Sequence, residues 1–502
     1  MGNYYMTFDA GTQSVKVAVY DEQMQCITST SHQTTIKYPH PGWAEMDADE
    51  YLEHTKTGMK ECVAVLKEKG IDPGEVRAVM GDGIICGIVG IDADGHAITP
   101  YINYLDSRTK EDAEKLAARR LEIWKQETGN AEPLCMFPAM HARWLLQTNE
   151  AFQQRGAKFV HNAPYVLLNL AGLSAEEAFI DWGAMSGWGL GYDVVKKAWS
   201  EKQLEILGID ARYMPRIVKP WDIVGRLSAE AAEQTGLTAG IPICGGAGDT
   251  MQSMLGCGIF EAGRAVDVAG TCAMFCVSTK GIIPELSQPG SGLIFNSGTL
   301  EDTYFYWGFV RTGGLALRWF KDNICQQAEN DGYYQTLSQR AGQVAPGCEG
   351  VLFLPYLTGG YAGSDVKGCF LNMTMATDQA VLWRSVLEAI AYDYEEITDT
   401  YRGAGIDIQQ ITVTEGGSRD ALWNQIKADV LEAETVTYET SGGAVLMNAI
   451  TGAFATGHIK DFKEALNTRL KPLSAFQPDT GRTQIYKAQS KIQKMFLKRL
   501  QG

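Results

Sequence analysis

The chain has 502 residues, 45% of them hydrophobic and 21% charged, with a formal net charge of −16. That length exceeds what one hydrophobic core usually serves, so two domains are expected, and the composition is globular with little disorder. The acidic balance excludes an extended nucleic-acid surface, which would show as a basic patch or stripe. Eleven cysteines, an odd number with no Cys-x-x-Cys pair, read as free thiols in a reducing cytoplasm rather than as a disulfide or zinc framework. The longest notable apolar run, 84–91, is broken by Gly87 and Gly90 and is too short to cross a bilayer. The first residues lack the basic region and apolar stretch of a signal peptide, so a cytoplasmic protein with no membrane partner is expected.

Residues 4–9 read as a strand, 10–14 as a turn and 15–20 as a second, alternating strand. The turn carries Gly11, Thr12, Gln13 and Ser14, whose consecutive amides and hydroxyls form a small nest suited to phosphate oxygens. Asp9 enters that tip, placed to hold Mg2+ through water, as magnesium is usually held. An ordinary polar hairpin is the plain alternative. Residues 49–68 have helical spacing, and 77–80 and 84–91 read as strands followed by an Asp-Gly turn at 92–95. Residues 107–128 read as one long amphipathic helix. The stretch 183–191, bracketed by Trp182 and Trp188, reads as a loop near a cleft.

Near the middle of the chain, Gly245-Gly246-Ala247-Gly248-Asp249-Thr250 presents a single carboxylate among glycines, ahead of a helix-compatible run at 251–256. Glycines let backbone approach a ligand closely, so Asp249 can meet a substrate; the bland reading is an Asp that caps the helix. Residues 265–277 repeat the strand, turn, strand device, with Ala269-Gly270-Thr271 at the tip. Laying Gly11-Thr12 over Gly270-Thr271 puts Val268 where Asp9 stands, and Asp267 on the other face. The second loop is then a phosphate cradle without a metal acid. Two such hairpins suggest a duplicated unit that holds a nucleotide between its halves.

Gly313 and Gly314 form a turn that opens a helix, whose free first amides can face phosphate. Residues 379–401 read as a helix. Residues 411–414 are a strand, Gly416-Gly417-Ser418 a turn and 421–431 a helix with one apolar face. Such a turn lets a flat adenine lie against bare backbone, or is simply a tight packing turn. The tail after Pro478 reads as a helix with Ile485, Ile492, Met495, Phe496 and Leu500 inward and Lys487, Lys491, Lys494 and Lys498 on the wet side.

In this order the motifs resemble the FGGY family of carbohydrate kinases, from Asp9 to about Gly457. Asp9-Ala10-Gly11-Thr12-Gln13-Ser14 is similar to the family's first phosphate loop, and Ala269-Gly270-Thr271 to its second. The segment 41–47 resembles the one that brings a tryptophan, here Trp43, to the sugar. Asp106-Ser107-Arg108 matches an Asp-x-Arg after a strand, and Gly245 to Asp249 the loop with the catalytic acid. Glu415-Gly416-Gly417-Ser418, with Trp423-Asn424, resembles the adenosine site. Other segments depart from the pattern. Ile84-Ile85-Cys86-Gly87 stands where xylulokinase-like members carry Gln-Met-His-Gly, and Gly360-Tyr361-Ala362-Gly363 replaces Glu-Arg-Thr-Pro. His141 takes a common lysine position, and Asn372 that of an expected glycine.

The resemblance implies an α/β, two-domain actin-like (ribonuclease-H-like) ATPase fold with a catalytic cleft between the domains. Residues 1–246 would form a sugar-binding domain with the first phosphate loop, 247–460 an ATP-binding domain, and 461–502 a C-terminal helical segment packing back on both. It implies transfer of the γ-phosphoryl of ATP, with Mg2+, to a hydroxyl of a small sugar, first a ketopentose such as xylulose. Asp249 would be the general base, ionised at neutral pH with no large pKa shift. Trp43, Cys86, Asp106, Arg108, Asp249 and Thr250 would meet the sugar, and Asp9 with Asp249 the metal. Gly11, Thr12, Gln13, Ser14, Gly270, Thr271, Gly313, Gly314, Gly416, Gly417 and Asn424 would hold the nucleotide. A homodimer is the candidate assembly. The altered pocket leaves another ketose, a polyol, a sugar acid or an autoinducer-type diketone open as substrate. An actin-like ATPase and a sugar sensor without kinase activity also remain open.

Overall fold

The computed structural model describes residues 2–153, 156–270, 273–310, 313–357, 366–439 and 443–500; the features expected at Thr271 and at 360–363 lie outside them. The chain packs as two compact units. The first gathers Met1–Phe260, Lys280–Phe305 and Gly442–Arg469, and the second Glu261–Thr279, Tyr306–Ser441 and Leu470–Gly502. This division by packing differs from the one read along the chain. Residues 247–260 and 443–460 join the first unit because the helices Asp249–Gly256 and Ala444–Ala455 pack on each other. Gln252 Nε2 donates to Asn448 Oδ1 at 2.8 Å between them.

The first unit is built on a sheet with strand order Ile223–Arg226, Pro242–Cys244, Val76–Gly83, Tyr4–Ala10, Ser14–Tyr20, Cys26–Gln33. Tyr4–Ala10 and Ser14–Tyr20 form the expected antiparallel hairpin, and Val76–Gly83 lies parallel to the first of them. Both faces are covered, which is why these strands are almost continuously buried rather than alternating. Met6, Phe8, Val17 and Val19 share a core with residues of the helices Ala48–Glu68 and Asn162–Ala171, such as Tyr51, Met59, Val63, Val166 and Leu170. The opposite face takes the Ala444–Ala455 helix, whose Asn448 donates to the Phe8 carbonyl at 2.9 Å.

Three sequence expectations change here. Residues 107–128 form two helices, Lys110–Ala117 and Ile123–Thr128, because Arg120 takes a φ of 46° between them. The strand Val76–Gly83 runs three residues beyond the expected end at 80, and Gly87–Ile91 starts later, which leaves 84–86 as a turn. Within 183–191, Asp181 caps a short helix, Trp182–Ser186, and both Trp182 and Trp188 are buried in the unit's own packing.

The second unit repeats the plan. Arg264–Ala269 pairs antiparallel with Ala273–Thr279 and parallel with Gln410–Thr414, which pairs with Glu434–Tyr438, and Pro472–Phe476 closes that edge. The helices Gln379–Gly403, Ala421–Leu431 and Thr480–Leu500 pack beside it. The tail helix is turned differently from the apolar-stripe expectation. Thr483, Tyr486, Ser490, Gln493 and Leu497 face inward, while Ile485, Ile492, Met495 and Leu500 are exposed. Buried charge decides the rotation, since buried polar groups must be hydrogen-bonded. Arg384 donates to Tyr486 Oη at 2.8 Å, Ser490 donates to the Glu395 carboxylate, and Thr483 donates to the Asp429 carbonyl at 2.7 Å. No helix among the described residues is long and apolar enough to cross a membrane.

Candidate active site

In the first unit, strand register forces carboxyl groups together. Asp9 and Asp82 are partners across two neighbouring parallel strands, and Ala247 pairs with Asp82 on its other side. Register partners in a sheet lie about 4.8 Å apart with their side chains on one face. The two acids therefore stand side by side at the carboxyl ends of parallel strands, where open α/β sheets bind ligands. The chain then passes Gly248, where a Cβ would lie 2.2 Å from Ile85 Cγ2, and enters the helix Asp249–Gly256.

The capping alternative for Asp249 does not hold. Gly248 occupies the cap position, no side chain caps the helix, and Asp249 is its first residue. Its Oδ1 accepts hydrogen bonds from the amide and, at 3.1 Å, the hydroxyl of Thr250. Thr250 thus orients a carboxylate whose Oδ2 has no protein partner among the described residues.

Burial raises all three acids. The Asp249 carboxyl is pushed from 3.8 to about 7 by desolvation and then by the charge of Asp9, with the Thr250 hydrogen bonds opposing. This corrects the expectation of an unshifted acid. Asp82 is held well above the carboxylate range by desolvation, then by the charges of Asp9 and Asp249. Both of its oxygens lack a well-formed hydrogen bond, and so does Asp9 Oδ1. Asp9 is raised by desolvation and eased by Lys16, 4.0 Å away. Sequence reading missed Asp82 because glycines flank it on both sides and read as the gap between two strands. The usable signal was that 76–83 can continue as one strand in register with 4–10.

At the hairpin tip, the carbonyls of Gly11, Thr12 and Gln13 accept hydrogen bonds from Tyr51 Oη at 3.3 Å, Thr34 Oγ1 at 2.8 Å and Thr34 N at 3.1 Å. The Gly11 amide donates to the Ser14 carbonyl at 3.1 Å, which closes the turn. No group of three or more His, Cys, Asp or Glu side chains among the described residues forms a metal cage. Magnesium is commonly held by one or two carboxylates with water completing its shell, and the partnerless Asp9 Oδ1 fits that mode.

Trp43, Asp106 and Arg108 are brought together. The Arg108 guanidinium lies 3.7 Å from the Trp43 ring centre and 4.8 Å from that of Trp144. It donates to both oxygens of Asp106 and, at 2.6 Å, to Glu45, while Asp106 also accepts from the Ala44 amide at 2.7 Å. The Asp106 carboxylate is thus wholly engaged in holding the Trp43 segment. Cys86 donates to the Gly187 carbonyl at 3.6 Å, and burial pushes its thiol up to about 12, so it serves as an apolar wall rather than a nucleophile. Two imidazoles are buried here, His141 at the position where lysine is common and His161, which the sequence reading did not single out. His141 lies 3.9 Å from Asp106, and His161 is stacked on Trp188 at 6.1 Å; desolvation holds them neutral, at about 4 and about 3.

In the second unit the remaining glycines converge. The Gly314 amide donates to the Gly270 carbonyl at 2.9 Å, and a Cβ on Gly313 would lie 2.9 Å from the Ala273 amide. Gly417 abuts the same hairpin, where a Cβ would lie 2.4 Å from that of Ala269. Glu415, ahead of it, takes a φ of 59°, a strained conformation of the kind that gathers at functional turns. Asn424 donates to the Ser418 carbonyl at 2.9 Å while its buried Oδ1 finds no hydrogen bond. Asp267 is a structural acid here. It pairs with Lys427 at 2.5 Å and accepts from Tyr394, and Lys427 lies 3.8 Å from the Trp423 ring centre. Thr271 lies outside the described residues.

Two family models match, the FGGY family of carbohydrate kinases N-terminal domain over residues 4–256 and its C-terminal domain over residues 265–456. The chain belongs to the FGGY family of carbohydrate kinases. It is an ATP-dependent carbohydrate kinase with the two-domain, actin-like ATPase fold. Among its relatives are a xylulose kinase of Bacillus subtilis, 24% identical over 96% of this chain and 94% of that one, and a gluconokinase of the same organism, 26% identical over 92% and 89%. The solved structure of xylulose kinase from Rhodospirillum rubrum superposes with a TM-score of 0.87 over 99% of both chains at 22% identity. The relatives' names thus span a neutral ketose and a sugar acid, and this kinase's acceptor has to be argued from its own residues.

Proposed function

We propose that this kinase transfers the γ-phosphoryl of ATP to a hydroxyl of a small ketose, with a ketopentose such as xylulose the first candidate. Asp249 accepts the hydroxyl proton as the oxygen attacks. The observation that carries this reading is the placement of Asp249 at the first position of its helix, oriented by Thr250 instead of capping. A general base works best with a pKa near the operating pH, and about 7 meets that condition. Phosphoryl transfer otherwise asks the protein for positioning and charge stabilisation. The amides of Thr12 to Ser14 and of Gly313 are suited to phosphate oxygens, those of Gly11, Gly270 and Gly314 being donated within their own turns, and Gly416 leaves room for adenine beside Asn424. Mg2+, held by Asp9 and reached by Asp249 through water, would neutralise charge on the transferring phosphate.

The test is sugar-dependent ADP release with the product followed by phosphorus NMR. A phosphorylated ketose formed in step with ADP is expected. ATP hydrolysis indifferent to sugar would identify an ATPase instead, and sugar binding without product a sensor. Replacing Asp9 by Asn should raise the magnesium requirement, and an unchanged magnesium titration would remove Asp9 from the metal site.

A further inference from the structure

The helix that carries Asp249 is tied to the strand that carries Asp9 by two buried amide side chains. Gln252 stands three residues after Asp249 on that helix, a spacing that puts both on one side of it. Whatever holds Gln252 therefore limits how the helix can roll or slide, and Asp249 with it. Gln252 Nε2 donates to Asn448 Oδ1 at 2.8 Å and to Thr451 Oγ1 at 3.3 Å, and Gln252 Oε1 accepts from Thr299 Oγ1 at 3.1 Å. Asn448 in turn donates through Nδ2 to the carbonyl of Phe8, the residue before Asp9, at 2.9 Å. A line of hydrogen bonds thus runs from the Asp9 strand through Asn448 and Gln252 into the Asp249 helix, and it passes through no loop residue.

The close seat of the Ala444–Ala455 helix on the sheet makes this reach possible. A Cβ on Gly452, one turn after Asn448, would lie 3.4 Å from that of Ala78 and 3.6 Å from Tyr5 Cδ1. Asp82, the register partner of Asp9, also has the Asn448 amide among the groups that ease its charge. Gln252 and Asn448 are both 0% exposed, and Met251, Leu255, Met447 and Ile450 beside them are apolar and buried. An apolar pair of similar shape would hold the two helices together about as well, since a hydrogen bond that replaces one with water adds little net stability. What a satisfied pair of amides adds is direction, because its bonds weaken steeply when the partners shift or turn.

Resting on the reading of Asp249 as general base, we propose that Gln252 and Asn448 are positioning residues for phosphoryl transfer. Acting as one link, the two amides fix the Asp249 helix against the Asp9 strand, and so set where the base stands relative to the phosphate loop during turnover. Both act through Asp249 and Asp9, which they hold in register.

The experiment measures ADP release with xylulose, xylitol and gluconate in the wild type, Gln252→Met, Asn448→Leu and the double variant, with Tm recorded for each. The double variant exchanges both partners for apolar groups of similar shape and leaves no amide unpaired, so its Tm should stay within about 3 °C of the wild type. With the acceptor that the wild type turns over fastest, each variant should lower kcat by about ten- to a hundredfold, because a slightly displaced base loses alignment. KM for that acceptor and for ATP should stay within about twofold. The double variant should be no slower than the slower single variant, as expected of residues that work together. A double variant that keeps kcat within twofold of the wild type would overturn the inference and leave the kinase reading intact. So would single losses that multiply in the double variant, losses confined to KM or Tm, or a double variant that fails to fold, since the amides would then hold the fold and not the geometry of the base. A wild type that releases ADP with none of the three acceptors would overturn the kinase reading, and this inference with it.

Discussion

Replacing Asp249 by Asn should make the protein more stable at pH 8, even as it removes the group on which turnover depends. The Asp249 carboxyl holds its proton more tightly in the folded protein, at about 7, than at its ordinary value of 3.8. Its contribution to stability is therefore present in full below pH 3.8 and is lost as pH rises through about 7. A gap of about three pH units corresponds to at most ~4 kcal/mol, and partial access of solvent to Asp249 reduces this to roughly 2 kcal/mol. Asn retains the Oδ1 that accepts from Thr250, so the substitution removes the charge and little else. For a domain of this size, that amounts to a rise in Tm of about 4 °C at pH 8. The measurement is thermal unfolding in EDTA across pH 4.5 to 8, followed by circular dichroism. The gap between variant and wild type should be widest at pH 8 and nearly closed at pH 4.5. A variant that is no more stable than wild type at pH 8, or whose gap is independent of pH, would refute the claim that the fold strains this carboxylate.

Other consequences are open to direct measurement. In the wild type, kcat/KM for the acceptor should rise with pH and level off above about pH 7, because the base must be ionised to take a proton; a flat profile from pH 5.5 to 8 would remove Asp249 from that role. Lys427→Met should destabilise the second unit by about 3–5 kcal/mol in denaturant unfolding, since it leaves the fully buried Asp267 uncompensated. A loss under 1 kcal/mol would mean that Asp267 is satisfied by Tyr394 alone. Gly417→Ala places a methyl 2.4 Å from the Ala269 Cβ, and should weaken ATP binding by at least about tenfold in calorimetry, while KM for the acceptor changes less. Unaltered ATP affinity would show that the Gly416-Gly417 turn is a packing feature.

Much of this architecture was legible in the residues because its signals are local. The strand, Gly-Thr turn, strand pattern recurs at 4–20 and 264–279 as two real hairpins, and the helix expected at 421–431 is found at Ala421–Leu431. The same overlay that displaced Asp267 to the other face agrees with its burial against Lys427. What could not be read depends on partners distant in sequence. Asp82 becomes part of the acid cluster only through its register with Asp9, 73 positions earlier in a parallel strand, and no nearby spacing announces that pairing. Arg120 broke an apparently continuous helix with a backbone conformation that its side chain does not advertise. The tail helix followed its hydrogen bonds to Arg384, Glu395 and Asp429 rather than its apolar stripe, and those acceptors and donors lie 54 to 102 residues away. His161 carried no local signal, since Trp188, on whose ring it stacks, lies 27 positions further along the chain.

The central claim is that one oriented carboxylate accepts the acceptor's proton while the rest of the protein holds the nucleotide. It is tested most directly by single-turnover phosphorylation of a saturating ketose by Asp249→Asn, with ATP affinity measured on the same preparation. The account predicts a rate lowered by about a thousandfold, within the range that general bases contribute, with the Kd for ATP within about twofold of wild type. A variant that phosphorylates the ketose within about tenfold of the wild-type rate would contradict it, since a loss that small falls below what a positioned general base supplies.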